Sequence, residues 1–454
     1  MRVVVIGTGY VGLTTATVLA YIGHSVTCLD TNAEKINRLK QGILPIHEPH
    51  LDEVFDQVRH KMCFTTDYAQ ADIPNTEVII IAVGTPSLPD GDADLTYLTQ
   101  AAESLAQNLG EAFTLIVNKS TVPIGTGKWL EDRIHDFTDA LDDRPGKRDF
   151  NVISSPEFLS QGSALRDSFY PNRIIIGTQH APSIERFSKL FEPIHKQNFV
   201  SPKCLPRPEG LQEVPIFVCD VISAETIKYA ANAFLATKIS FINEMGYLAQ
   251  KVGADVDALA KGMGLDPRIG SRFLNAGIGW GGSCFGKDTA ALVATARKNG
   301  LEMRIVQAAR DVNYSLRQWI VNALQEKMGD LNGRRVTLLG FSFKPNTDDL
   351  RDAPSIDISK ELVKRGAIVT AHDPVALKNA RLYYPDLGVV YEDDLSKALE
   401  NPEAVLLLTE WQDYLHIDWQ KVPQCVIIDG RNHLDHTRLR DLGFETMRFG
   451  SKQS

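Results

Sequence analysis

The sequence predicts an α/β chain in which two doubly wound domains are joined by a long central helix. Three observations predict it. Strands alternate with helices through the first two hundred or so residues, a proline-free stretch from Ser223 to Leu248 reads as one helix, and strand–helix alternation resumes near Asp330. At 454 residues two or three domains are expected, each able to bury its own core. The boundaries read as 1–217 for the first sheet, 218–325 for the helical centre and 326–454 for the second sheet.

The first element is the short apolar run Arg2–Ile6, followed by Gly7-Thr8-Gly9-Tyr10-Val11-Gly12 and the helical stretch Leu13–Ala20. A second strand, Ser25–Leu29, ends in Asp30. Strand, glycine turn, helix, strand and terminal acid in this register make a dinucleotide-binding, Rossmann-like unit. Gly7 serves the tight turn, Gly9 lets a pyrophosphate approach, and Gly12 packs helix on strand. Asp30 would accept from the adenosine ribose hydroxyls and repel a 2′-phosphate, which favours NAD over NADP. A structural turn without ligand is the bland alternative. Strands at Glu77–Val83, Thr114–Asn118 and Asn151–Ser154 end in Gly84-Thr85-Pro86, Lys119-Ser120-Thr121-Val122-Pro123 and Ser155-Pro156-Glu157-Phe158-Leu159. That carboxyl edge is where open parallel sheets bind ligands. Asp139–Asp149 and Pro202–Pro215 read as surface insertions without chemistry.

The central stretch Ser223–Leu248 reads as a helix of about seven turns. It is apolar over much of its surface, as expected of a helix buried between domains or against a second subunit. Lys228 and Asn232 share one face of it. A solvated lysine is the bland reading; an inward polar pair would need partners. Further on, Gly277, Gly279, Gly281 and Gly282 precede Ser283-Cys284-Phe285-Gly286-Lys287-Asp288, and Lys287–Ala296 reads as a helix. Cys284 then sits near a helix N-terminus with Lys287 one turn on, and both features favour the nucleophilic thiolate. The alternative is a small buried hydrophobe. In the third block, Arg334–Gly340, Ile368–Ala371, Ala404–Leu408 and Cys425–Ile428 read as strands and Ser355–Arg365 as a helix. The first turn there lacks GxGxxG, so a nucleotide would be held by other means, with Lys344 and Arg431 as phosphate or sugar partners.

Composition excludes several classes. A net charge of -9 argues against nucleic-acid polymers and anionic membranes, and no apolar run is long enough to span a bilayer. Six scattered cysteines without a CxxC pair, two of them (Cys28 and Cys425) in expected strands, point to reduced thiols and the cytoplasm. No signal peptide fits, because a strand starts at Arg2. No metal site emerges: in His47-Glu48-Pro49-His50 the proline spoils a helical ligand face, and a loop is expected.

Taken in order, the glycine turn, Gly84-Thr85-Pro86, Lys119-Ser120-Thr121-Val122-Pro123, Ser155-Pro156-Glu157-Phe158-Leu159, Gly281-Gly282-Ser283-Cys284-Phe285, Phe343-Lys344 and Asp429-Gly430-Arg431-Asn432 resemble the UDP-glucose/GDP-mannose dehydrogenases. These nucleotide-sugar oxidoreductases turn a primary alcohol into a carboxylate with two NAD. The resemblance runs the whole length. It implies an N-terminal NAD domain, a central dimerising helix, a C-terminal domain for the substrate's nucleotide, and a cytoplasmic homodimer or an assembly of dimers. It implies NAD contacts from Gly7, Gly9, Tyr10, Val11, Gly12, Asp30, Lys35, Thr85, Thr121, Lys287 and Arg351. Substrate contacts would come from Glu157, Phe158, Leu159, Lys228, Asn232, Phe273, Leu274, Asn275, Ala276, Gly277, Gly281, Phe343, Lys344 and Arg431. Arg268 resembles an arginine that reaches the substrate of the neighbouring subunit. Where the family reads Pro-Glu-Phe-Leu-x-Glu-Gly this chain has Gln161, which cannot act as a base.

The catalytic set so implied is Cys284, Lys228, Asn232, Asp288, Glu157 and Thr121. A thiolate would capture the aldehyde as a thiohemiacetal, whose oxidation gives a thioester that water cleaves. Lys228 and Asn232 would stabilise the oxyanions, Asp288 and Thr121 would order water, and Glu157 or Asp288 would act as base. Asp429-Gly430-Arg431-Asn432 looks most like the UDP-glucose branch, so four-electron oxidation of UDP-glucose to UDP-glucuronate is expected. UDP-N-acetylhexosamines and GDP-mannose fit the same chemistry. A two-electron hydroxyacid dehydrogenase shares the glycine turn and the helix with Lys and Asn, but needs neither Cys284 nor the block from 330 onward. A catalytically dead NAD-binding protein would be expected to have lost Cys284, Lys228 or Asp288.

Overall fold

Val3 and Val5 of β1 (Arg2–Ile6) face one side of the first sheet, Val4 and Ile6 face the other, and all four are buried. Burial on both faces is why this strand is an uninterrupted apolar run rather than an alternating one. The structure is a computed structural model that describes residues 1–86, 88, 92–141 and 148–451. It divides into two units, Met1–Ala230 and Ala231–Ser454.

In the first unit, β1 is joined by β2 (Ser25–Leu29), β3 (Met62–Thr65), β4 (Val78–Ile81), β5 (Thr114–Asn118), β6 (Phe150–Ser154), β7 (Ile174–Gly177) and β8 (Ile216–Cys219). Their order across the sheet is β3-β2-β1-β4-β5-β6-β7-β8, parallel except where β7 meets β6. The helices are α1 (Tyr10–Tyr21), α2 (Ala33–Lys40), α3 (Leu51–Val58), α4 (Thr96–Asn108), α5 (Thr126–Leu141), α6 (Ala164–Phe169), α7 (Ala181–Leu190) and α8 (Glu192–His195). α9 (Val221–Val252) begins in this unit and ends in the next.

The second unit continues with α10 (Val256–Gly264), α11 (Phe285–Lys298) and α12 (Arg304–Met328), then β9 (Arg335–Leu339), α13 (Pro354–Lys364) and β10 (Ile368–His372). With β11 (Val389–Tyr391), β12 (Ala404–Leu407), β13 (Val426–Asp429) and β14 (Glu445–Arg448) it forms a parallel sheet in the order β11-β10-β9-β12-β13-β14. Numbered by appearance, that is the order of the first six strands of the first unit. The expected pair of doubly wound sheets is therefore present.

Three expectations change in detail. α9 spans 32 residues, about nine turns rather than seven. Asp220 accepts from Ser223 N at 2.8 Å and starts the helix early, and nothing stops it before Gly253, which takes φ +80°. α5 runs on to Leu141, so the front of the 139–149 insertion is helix; residues 142–147 lie outside those described. Cys425 falls one residue short of β13, half-buried, with burial pushing its thiol up to about 12. The 202–215 segment is irregular, as expected, but it is packed as well as exposed. Leu205 and Val214 are buried in the core, and Tyr170 Oη donates to Leu205 O at 2.7 Å. The His47–His50 run is a loop, with His50 left-handed (φ 65°) just before α3.

Candidate active site

Gly7 takes φ +95°, and a Cβ there would meet the Ala82 carbonyl at 2.5 Å. A Cβ on Gly12 would lie 1.8 Å from Gly7 O, so any larger residue would lift α1 off the turn. Nothing lies within 4 Å of a Cβ built on Gly9, which leaves that face open for a diphosphate at the start of α1. Tyr10 and Val11 form the first turn of α1, and Tyr10 Oη donates to His47 O at 3.0 Å. Asp30 Oδ2 accepts from Thr8 N (2.9 Å), Thr8 Oγ1 (2.7 Å) and Lys35 Nζ (3.0 Å), and Oδ1 from Asn32 N (3.0 Å). Burial pushes this carboxyl up, but those donors outweigh it and hold it below its ordinary value. A carboxylate offers about four lone-pair sites, so Oδ1 keeps room for a ribose hydroxyl. The open cradle, helix N-terminus and ionised acid fit a dinucleotide. Along the same edge Thr85 Oγ1 donates to Thr121 O at 2.6 Å, tying together two residues assigned to NAD by resemblance.

The carboxyl end of β6 delivers Glu157. Its Oε1 meets Lys228 Nζ at 3.0 Å, and its Oε2 accepts from Leu159 N at 2.5 Å. Both side chains of the ion pair are buried. Burial pushes Glu157 up, but Lys228, the Leu159 amide and Lys119 together hold it below the ordinary carboxylate value. Lys119 is the residue the sequence reading passed over. It follows the fully buried β5, and burial, with the nearby Lys228 charge, pulls its ammonium down to about 8 against the pull of Glu157. A lysine directly after a strand with the apolar centre Leu115-Ile116-Val117 was the available signal. Phe158 carries Lys228 Nζ at 5.5 Å from its ring centroid. Gln161 keeps its amide oxygen buried, with no hydrogen-bond partner among the described residues.

Two turns of sequence before this lysine's helical neighbour Asn232, Glu225 anchors the start of α9. Its carboxylate accepts from Gly125 N (2.6 Å), Gly127 N (2.7 Å) and Ser154 Oγ (2.9 Å), and so caps α5. Burial nonetheless leaves its pKa raised.

In the second unit Asn232 Nδ2 donates to Asp288 Oδ2 at 2.7 Å, both buried. Lys287 Nζ forms an ion pair with Asp288 Oδ1 at 2.9 Å. Cys284 is half-buried at the N-cap of α11, its carbonyl accepting from Asp288 N at 2.8 Å and its Sγ 3.7 Å from Ser283 Oγ. The glycines before it are forced: a Cβ on Gly281 would strike Asp352 O at 2.4 Å, and Gly282 takes φ +87° against the Phe343 ring. Gly282 N donates to Arg351 O, while the Arg351 guanidinium is bound in a fork to Asp349. Arg431 is held by Leu408 O (2.8 Å) and Gly279 O (2.9 Å), beside Gly277, and burial lowers its pKa. Leu274 and Ala276 are buried, Gly277 N donates to Asn243 Oδ1, and Phe273 and Asn275 are exposed. Lys344 Nζ sits 5.5 Å from the Phe343 ring centroid. Arg268 is exposed, forked onto Asp266.

The second unit repeats the turn of the first with different contents. Gly340 takes φ +87°, but a Cβ there would fall 2.3 Å from Thr409 Cβ. Asp373, the acid after β10, is buried; its Oδ2 accepts from Phe341 N, Ser342 N, Ser342 Oγ and Trp411 Nε1, and its Oδ1 from Val375 N and Ala376 N.

Three models of the UDP-glucose/GDP-mannose dehydrogenase family match in sequence: its NAD binding domain over residues 1–195, its central domain over 222–315 and its UDP binding domain over 337–436. The UDP-glucose 6-dehydrogenase TuaD of Bacillus subtilis is 40% identical over 449 residues, covering 98% of this chain and 92% of that protein. A UDP-glucose 6-dehydrogenase of Pseudomonas aeruginosa is 39% identical, over 98% of this chain and 96% of that one. Among solved structures, a UDP-glucose dehydrogenase from Pyrobaculum islandicum matches with a TM-score of 0.87 at 36% identity, covering 98% and 96% of the two chains. A UDP-D-ManNAc dehydrogenase from Pyrococcus horikoshii matches with a TM-score of 0.83 at 26% identity over the whole of both chains. With three successive domains matched, and an open dinucleotide cradle in the first of them, the chain belongs to the UDP-glucose/GDP-mannose dehydrogenase family of NAD-dependent nucleotide-sugar dehydrogenases.

Proposed function

We propose that this chain oxidises UDP-glucose to UDP-glucuronate by four electrons, through a thiohemiacetal and a thioester on Cys284. The observation that carries the reading is Cys284 at the N-cap of α11, one turn before an Asp288 held by Asn232 and Lys287. The sugar assignment rests on the UDP-glucose 6-dehydrogenases at about 40% identity.

NAD, held at the Gly7–Gly12 turn and Asp30, would supply the hydride acceptor for each two-electron step. In the first, the C6 hydroxyl loses its proton to a base and the carbon becomes an aldehyde; Glu157, kept ionised beside Lys228, suits that role. Cys284 Sγ then adds to the aldehyde carbon and the oxygen gains a proton. Loss of that proton and a second hydride leaves the thioester. Water adds, the C–S bond breaks, and the carboxylate leaves as the thiolate returns. Lys228 and Asn232 stabilise the oxygen charge at each stage, each donor contributing about 3 kcal/mol. Asp288 takes the proton of the attacking water, with Thr121 helping to order it. Lys344 and Arg431 bind the nucleotide end, within a UDP-sugar domain we assign to 326–454, after an NAD domain at 1–217 and a helical centre at 218–325.

A homodimer through α9 completes the reading. Phe234, Phe241 and Leu248 are exposed and recur every seven residues, a stripe that a second copy would cover. Arg268 then reaches toward the neighbouring subunit's substrate. The six free cysteines suit the cytoplasm, and among the described residues no helix is long and apolar enough to cross a membrane.

NADH formation against a panel of nucleotide sugars tests the proposal. Two NADH per UDP-glucuronate are expected. One NADH with free aldehyde as the sole product refutes the four-electron reading; turnover of a UDP-N-acetylhexosamine or GDP-mannose but not UDP-glucose moves the assignment to that sugar.

A further inference from the structure

β7 and β8 run opposite to the other six strands of the first sheet. Their starting ends therefore lie at the edge where β1, β4, β5 and β6 finish, which is the ligand edge of such a sheet. Ser154 of β6 faces Gly177 of β7. In antiparallel pairing each step forward from Ser154 is a step back from Gly177, and the same count brings Phe158 opposite Arg173. The side chains meet there: the Arg173 guanidinium carbon lies 3.8 Å from the centroid of the Phe158 ring. Lys228 Nζ approaches the same ring at 5.5 Å.

Arg173 is half-buried, and burial pulls its pKa below the ordinary value. Guanidinium carries five N–H donors. Among the described residues no carboxylate or carbonyl accepts from Arg173, and only the Phe158 ring meets its guanidinium. Taking a charge partly out of water without spending its donors is unfavourable unless a ligand uses them. A ring face holds the guanidinium in place while leaving its N–H edges outward. The ligand proposed above carries a diphosphate throughout, and a carboxylate once oxidised.

We infer that Arg173 is a further ligand-binding residue, which takes an anionic oxygen of the nucleotide sugar while the Phe158 ring presents it. The identity of that ligand rests on the proposed function; the presence of an anion site does not. Two groups carry oxygens of the required chemistry, the diphosphate and the C6 carboxylate.

Calorimetric titration of UDP, UDP-glucose and UDP-glucuronate into the whole chain, wild type and Arg173→Met, decides the matter, with NAD affinity and thermal melts alongside. UDP-glucuronate should bind about ten- to a hundredfold more weakly to Arg173→Met, the usual range for a charged hydrogen bond. An equal loss for UDP and UDP-glucose identifies a phosphate oxygen; a loss confined to UDP-glucuronate identifies the carboxylate. Arg173→Lys should recover part of the affinity. In a Phe158→Leu background the further cost of Arg173→Met should shrink, because nothing then presents the guanidinium. Unchanged affinity for all three ligands, a fall in melting temperature without loss of affinity, or a loss confined to NAD would each overturn the inference. UDP binding needs no turnover. A chain that fails to oxidise UDP-glucose yet binds UDP through Arg173 would sink the reaction and leave the anion site standing.

Discussion

The two sheets share one strand order and one local device, and they use it in opposite ways. Each opens with a strand, a left-handed glycine (Gly7, Gly340) and an acid after the neighbouring strand (Asp30, Asp373). In the first unit the acid keeps an acceptor site open and the glycine turn faces empty space at Gly9. In the second, six donors from the chain itself fill both carboxylate oxygens of Asp373, and Thr409 crowds Gly340. The same topological corner is a cofactor cradle in one copy and a structural knot in the other. A fold therefore does not say which corner binds; the unspent hydrogen-bonding capacity does.

The largest expected effect separates chemistry from packing in the second unit. Cys284→Ser should lower kcat by about a thousandfold or more, since an alkoxide is far more basic and a poorer leaving group than a thiolate. NAD and UDP-sugar should still bind, and a sugar–enzyme ester is the species to look for by mass spectrometry. If melts shift by a core-packing amount while activity per folded molecule holds, Cys284 is a packing residue and the chemistry proposed here is wrong. Next comes the knot. Asp373→Asn should cost about 2–4 kcal/mol in urea unfolding, because amide cannot satisfy all those donors, with the KM for NAD unchanged. An effect on NAD without a stability loss would break the comparison.

Much of this was legible in the sequence where the cause is local. Gly7, Gly9 and Gly12 are demanded by backbone geometry within one turn, and Asp30 sits a fixed distance down the chain. The fully buried β4, β5 and β12 announced themselves as apolar runs, while the equally buried β7 went unread. What stayed hidden depends on partners far apart. Lys119, Glu157 and Lys228 come from three elements, and nothing in their local sequence says that they share a pocket of charge. Arg173 needed the reversal of β7, which composition does not record. β11 is only three residues long and β14 has a single apolar residue, Met447, so neither can be read without its neighbours. α9 ran past its expected ends because its start depends on the Asp220 side chain and its stop on Gly253.

Lys119 offers a smaller effect with a defined sign. Its ordinary value is 10.5 and its folded value about 8. Between them the unfolded chain holds a proton that the folded chain has released. Stability should therefore rise as pH climbs through that window, and be lost as pH falls back to the lower value. The unfolding free energy of wild type minus Lys119→Met should rise by about 2 kcal/mol between about pH 8 and about pH 10.5. A flat difference would mean that Lys119 is solvated. The smallest effect lies back at the open cradle. Asp30→Asn should narrow the NAD-over-NADP preference in kcat/KM by about tenfold, near 1.4 kcal/mol, softened because Lys35 already offsets part of the charge. No change in the ratio would mean that Asp30 serves the turn alone, as Asp373 does.

Glu225 has a consequence for angular tolerance. Glu225, Lys228 and Asn232 lie at i, i+3 and i+7 on α9, along one face. The two amides at the start of α5, those of Gly125 and Gly127, grip Glu225 and act as a detent on the rotation of α9 about its own axis. At a side-chain radius of about 5–6 Å, a twist of about 10° sweeps each tip through about 1 Å, a displacement on the scale that costs an enzyme about a hundredfold. The phase of the helix is thus set several ångströms upstream of the groups that depend on it.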